Sequence, residues 1–86
     1  MQFEGAVIKE QGITFAIAIV KSNVLDVSSK RQEVRQGFSR FFPGMPIILM
    51  AQNGRGIPTY HGRTDIVKFL ANVDPRRIPW KRYTAN

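Results

Sequence analysis

The chain has 86 residues, thirteen Lys and Arg against six Asp and Glu, a formal charge of +7 and 43% hydrophobic residues. That length holds one domain and no second, and the apolar content is that of a globular chain, not a disordered one. With no cysteine present, a disulfide framework, a thiol nucleophile, a thiol redox centre and a Cys-ligated metal are all excluded.

Residues 2–9 alternate imperfectly and predict a strand, with Gln11-Gly12 as the turn after it. Residues 13–21 place Ile13, Phe15, Ile17 and Ile19 on one face and Thr14, Ala16, Ala18 and Val20 on the other. Apolar residues on both faces mark a central strand covered on both sides. The run is far short of the ~20 residues of a membrane span. Glu4, Lys9 and Glu10 precede it, which is not the flank of a secretory signal. The expectation is a soluble cytoplasmic protein that does not enter the membrane.

A helix is predicted from about residue 27 to 42. Asp26, Ser28 and Ser29 are candidate N-caps, and Ser29 with Gln32 fits a capping box. Val27, Val34, Phe38, Phe41 and Phe42 share about 100° of helical arc and should face the core; Pro43-Gly44 ends the helix. Gly37 inside it costs roughly 1 kcal/mol against Ala, which implies that a neighbouring element approaches closely there. Residues 46–51 are a second central strand. Asn53-Gly54 signals a turn that Arg55-Gly56 lengthens. Residues 57–61 form a fourth strand, which Pro58 confines to an edge or a late start. Thr64 or Asp65 then caps a short helix to about Val73, with Ile66, Phe69, Leu70 and Val73 on one face.

The order is therefore β-β-α-β-β-α: an α+β domain over 1–74 with a four-stranded mixed sheet and two helices, then a basic aromatic tail over 75–86. A right-handed crossover through the long helix makes the second and third strands parallel. Two helices on one face would leave the other sheet face apolar and open, calling for the tail or a second subunit to cover it.

From Pro46 onward the sequence resembles the closing half of a thioredoxin-like fold. The matching positions are Pro46 before an apolar strand, the Asn53-Gly54 turn, Gly62, and the helix holding Phe69-Leu70, with Phe15 to Phe42 as the preceding strand and helix. The resemblance implies a cis Met45–Pro46 bond, with the Met45 backbone pairing to extended polypeptide. The family's first strand, its active-site helix and its Cys motif have no counterpart. What is implied is a cut-down scaffold without thiol exchange.

Charge is unevenly spread. Residues 1–29 carry two Lys and three acids, and residues 30–86 carry eleven bases and three acids. Lys30, Arg31, Arg35 and Arg40 lie on the first helix, Arg55 and Arg63 bracket the fourth strand, and Arg76, Arg77, Lys81 and Arg82 cluster in the tail. Clustered bases bind phosphate-rich polymers by releasing condensed counterions. Trp80 and Tyr83, interleaved with the tail cations, could stack on unpaired bases. The anion-site candidates are thus Arg55, Arg63, Arg76, Arg77, Trp80, Lys81, Arg82 and Tyr83. Equally, solvated bases keep a small protein soluble, and Trp80 can anchor the tail on its own domain or on a second copy.

Catalytic signals are sparse. His61, the one histidine, lies near Asp65 at a strand end opening a helix, where a His beside a carboxylate can act as general base. No nucleophile is placed by sequence, no metal-ligand spacing is present, and no cofactor is implied. The expectation is a non-catalytic binding module for an anionic partner such as nucleic acid. The alternative is a protein-interaction or homodimeric module using an apolar sheet face and Trp80. Salt separates the two, because apolar burial is not screened.

Overall fold

In a computed structural model describing residues 2–10 and 12–84, the chain forms β1 (Gln2–Glu10), β2 (Ile13–Ile19), α1 (Ser22–Leu25), α2 (Ser28–Phe38), β3 (Ile47–Gln52), β4 (Pro58–His61), α3 (Thr64–Leu70), a 3-10 turn (Pro75–Arg77) and β5 (Lys81–Thr84). The fold is α+β, with a mixed sheet ordered β4-β3-β2-β1-β5. β2 and β3 run parallel, Ala16 opposite Ile47 through Ile19 opposite Met50. The other three pairings are antiparallel. The parallel pair at the centre follows from two strands that are apolar on both faces and joined by a helical crossover.

The sheet has five strands, not four. Residues 75–84, read from sequence as a tail, supply the 3-10 turn and β5, which pairs with β1 from Gln2 opposite Thr84 to Gly5 opposite Lys81. Ala85 and Asn86, the end of that expected tail, lie outside the described residues, as do Met1 at the start of the expected domain and Gln11 of the predicted turn. The Cα radius of gyration, 12.1 Å, matches the ~12 Å of a compact 86-residue domain, as expected when the C-terminal stretch is folded in.

The helices lie on opposite sheet faces. Phe38 and Phe42 bury against Ala16, Ala18, Ile47 and Leu49 on one side. Ile66 and Leu70 bury against Phe15, Ile17, Ile48 and Met50 on the other. Alternation along β2 and β3 serves both layers at once, so the open apolar face expected from one-sided helices does not exist. The exposed large apolar side chains Val7, Val27 and Ile57 sit in three different parts of the fold and form no continuous patch.

Several local expectations change. The predicted helix over 27–42 is two shorter helices, and α2 ends at Phe38, with Phe41 and Phe42 packed from the turn that follows. Val27 is the N-cap residue, without a side-chain capping bond, and is exposed instead of facing the core. Gly37 is exposed, and a Cβ there would meet nothing within 4 Å. No close approach explains it. The real close approach is at Gly5, where a Cβ would lie 2.6 Å from the Ile17 carbonyl oxygen. There are no cis peptide bonds among the described residues, so Met45–Pro46 is trans. The backbone feature implied by the thioredoxin-like resemblance is absent. The strand, Asn-Gly turn, antiparallel strand, glycine and helix that follow Pro46 are present in that order.

Candidate functional site

The α2 register carries a pair of arginines toward β4. Arg31 and Arg35 are one turn apart and lie on the same side of the helix. Arg31 Nη1 donates to the Leu25 carbonyl, tying α2 to α1. Arg35 reaches across the sheet end. Its Nε donates to the Ile47 carbonyl at 3.1 Å, and its Nη2 donates to the His61 carbonyl at 3.0 Å and to His61 Nδ1 at 2.8 Å. One guanidinium therefore clamps α2 to β3 and β4 through the end of the parallel strand pair.

The contact sets the chemistry of His61. An arginine only donates, so Nδ1 accepts and the neutral ring carries its proton on Nε2. Burial, followed by the positive charges of Arg31 and Arg35, holds the imidazole below its ordinary value near 6.5. Arg35 is also pushed down, by burial and by Arg31. The result is a neutral ring presenting an N–H donor, not a free basic nitrogen. Asp65 does not orient it: its Oδ1 accepts from the Ile66 backbone N–H at 2.9 Å and pairs with Arg63 Nε at 3.0 Å. Among the described residues no hydrogen bond joins His61 to Asp65, the two catalytic candidates of the sequence.

Arg35, Pro46, Ile47, His61, Gly62 and Arg63 enclose a cleft of about 420 Å³. Gly62, at φ +157°, makes the cleft wall thin; a Cβ there would lie 2.6 Å from Ile48 Cδ1 and 3.2 Å from the Ile47 carbonyl. A second cleft of about 430 Å³ shares Arg35, Pro46 and Ile47 and continues along α2 past Gln32, Gln36 and Ser39.

The remaining candidates are spread over the molecule. Arg63 and the β5 cations lie at opposite edges of the sheet, about 19 Å apart at the usual strand spacing. Arg55 sits exposed in the β3–β4 loop, at the other end of β4 from Arg63. Arg76 is held by Asp74, with Nη2 2.9 Å from Oδ2 and the backbone N–H 2.9 Å from Oδ1. Those bonds keep the Asp74 carboxyl below its ordinary range and raise Arg76. Arg82 lies 4.0 Å from Glu4, and Lys81 Nζ stands 5.9 Å above the Tyr83 ring. Arg77 is exposed on the 3-10 turn. Both aromatics are half-buried. Trp80 packs against the α3-side core and donates from Nε1 to the Pro75 carbonyl at 2.9 Å. Tyr83 stacks on Phe3 at 5.1 Å and meets Phe42 edge-on at 5.2 Å.

Arg35 lines the cleft and Arg31 stands one turn away on α2; sequence reasoning left both among the helix charges. The available signal was their phase: counting 100° per residue from Val34, Arg31 falls at about 60°, between Phe38 and Phe42, and Arg35 at about 100°. Charges at the edge of an apolar stripe point to a neighbouring element rather than to bulk water. Among the described residues no group of three His, Cys, Asp or Glu could hold a metal ion, and no helix is long and apolar enough to cross a membrane. Compared with protein-family profiles, curated proteins and solved structures, the chain shows no match.

Proposed function

We propose that this protein is a non-catalytic binding module whose partner is anionic, with nucleic acid as the partner class, and that the contact runs over the α2 and β4–α3 rim. The observation that carries this reading is the grouping of Arg31, Arg35 and Arg63 around His61. No carboxylate lies within ion-pair distance of Arg31 or Arg35 among the described residues. Arg63 pairs with Asp65, but three cations against one carboxylate still leave an excess that raises the local potential and draws in an anion. The +7 charge acts in the same direction at longer range. The tail cations Arg77, Lys81 and Arg82 would add phosphate contacts only for a ligand that wraps around the β5 edge. Trp80 and Tyr83 serve as anchors of β5 in this reading, not as stacking platforms.

The test is fluorescence anisotropy with a labelled single-stranded oligonucleotide across a salt series. Three phosphate contacts give a slope of log K against log salt of roughly −2, and Arg63→Gln should make it shallower by about 0.7. Absence of binding at low salt, or binding indifferent to salt, refutes the reading. A homodimer that survives salt would support the alternative instead, although the sheet face and indole on which that alternative relied are both covered within one chain.

A further inference from the structure

The guanidinium of Arg35 is half-buried and satisfied only by neutral acceptors. Nε and Nη2 are spent on two carbonyl oxygens and a ring nitrogen, which leaves the two N–H groups of Nη1 unassigned. His61 adds an Nε2–H, and Arg63 adds its Nη groups, since only its Nε pairs with Asp65. These donors come from α2, from the end of β4 and from the β4–α3 junction, and they border one cleft. A carboxylate presents two oxygens; donors from three separate elements suit a group presenting three. The adjoining cleft along α2 offers Gln32, Gln36 and Ser39 beside Met45. That mixture of amide, hydroxyl and apolar surface suits a sugar and base better than a bare ion.

We infer that the Arg35–His61–Arg63 cleft binds the terminal phosphate of a nucleotide, either free or at the phosphorylated end of a nucleic-acid strand, with the nucleoside lying along α2. This rests on the anionic-partner reading and narrows it from a backbone to an end. It also makes His61 a partner in binding. The charged groups around the ring are Arg31 and Arg35 from α2 and Arg63 and Asp65 from the β4–α3 junction, while β3 contributes no charged residue. A bound phosphate would offset the excess of positive charge around the ring, which eases protonation of His61 once Nδ1 gives up the Arg35 bond.

The sole histidine is a built-in reporter, since its ring signals need no assignment by mutation. The experiment titrates those signals by NMR at fixed ionic strength, with chloride or with inorganic phosphate. A fluorescence arm compares one oligonucleotide carrying a 5′-phosphate or a 5′-hydroxyl, and a nucleoside monophosphate competes for the site. The expected results are a saturable upward shift of the His61 midpoint in phosphate and about tenfold tighter binding of the phosphorylated end, the discrimination of one charge-assisted hydrogen bond. Arg35→Gln should lose the preference and Arg40→Gln should keep it. If Arg35→Gln fails to fold, Arg63→Gln, at an exposed position, replaces it. A His61 midpoint identical in phosphate and chloride overturns the inference. So do equal affinities for the two ends with a steep salt dependence, although these leave the broader reading intact. A phosphate-shifted His61 with no oligonucleotide binding sustains the site for a free nucleotide and removes nucleic acid as the partner. Competition by the nucleoside monophosphate at matched affinity points to the free nucleotide as the source.

Discussion

Alanine at position 62 tests fold and site together. The new Cβ would stand 2.6 Å from Ile48 Cδ1 and 3.2 Å from the Ile47 carbonyl oxygen. Ile48 is fully buried, with 0% exposure, so its methyl has nowhere to retreat. Overpacking of this kind costs about 1–3 kcal/mol. Holding a non-glycine residue at φ +157° adds about 1–3 kcal/mol. Against the roughly 4–13 kcal/mol expected for a domain of 86 residues, a total of about 2–6 kcal/mol removes a large share of the stability. The melting temperature should fall by at least about 8 °C, read by circular dichroism. The Ile47 carbonyl is also the acceptor for Arg35 Nε. Any yielding there loosens the clamp, and the His61 midpoint should move back toward 6.5. Gly54→Ala, where a Cβ meets nothing within 4 Å, is the control. A Gly62→Ala protein that melts within about 2 °C of the parent would refute the packing argument, and with it the account of how the cleft is shaped.

Gly37→Ala should stabilise by about 0.5–1 kcal/mol, because the site is open, helical and at an ordinary φ; a urea midpoint that falls would contradict this. Tyr60 buries its hydroxyl without a hydrogen-bond partner, and burial raises its pKa. Tyr60→Phe should therefore gain about 1 kcal/mol, measured by urea denaturation, and a loss would mean the hydroxyl has a partner in solution. His61 is held below its ordinary value in the folded state. Below pH 6.5 the unfolded chain binds the proton more readily, so stability is complete above that pH and declines as pH falls through the folded value. His61→Gln should flatten that part of the stability profile, and an unchanged acid limb would exclude His61 as its source. Trp80→Phe removes the Nε1–H bond to Pro75 and part of the indole area packed on the core, at a cost of at least about 1 kcal/mol. Native Trp80 emission should be indifferent both to dilution and to added oligonucleotide; a shift with either would revive the indole as a contact.

The two central strands were legible because each carries apolar residues on both faces, a pattern that only a doubly covered strand tolerates. Their parallel pairing followed from the helical crossover. Which face the last helix takes was not legible. After an antiparallel hairpin the chain can return over either side, and amphipathicity says only that α3 must bury a face. β5 was also hidden. Of Lys81, Arg82, Tyr83 and Thr84 only Tyr83 is even half-buried, so the strand rests on main-chain pairing with β1 and on one aromatic stack instead of an apolar period. The helix over 27–42 was overextended because Phe41 and Phe42 keep the helical phase while packing from a turn.

The sequence reading weighted the tail over the cleft for a different reason. Counting bases along the chain gives weight to density, and the densest run is Arg76 to Arg82. Density in sequence also brings neighbours that neutralise it: Asp74 sits two residues from Arg76 and binds it through both side chain and backbone. Exposed pairs of that kind contribute little to stability and leave little unspent field. Arg35 has the opposite history. Its acceptors lie 12 and 26 residues away. None of them carries charge to cancel its own. A cation held by carbonyls and a neutral imidazole keeps its full charge while losing part of its solvation, the condition in which an arriving anion recovers the most. Under the proposed reading, what marks the cleft is therefore a fixed guanidinium with no counter-ion among the described residues, a property set by long-range contacts and invisible to any count of basic residues.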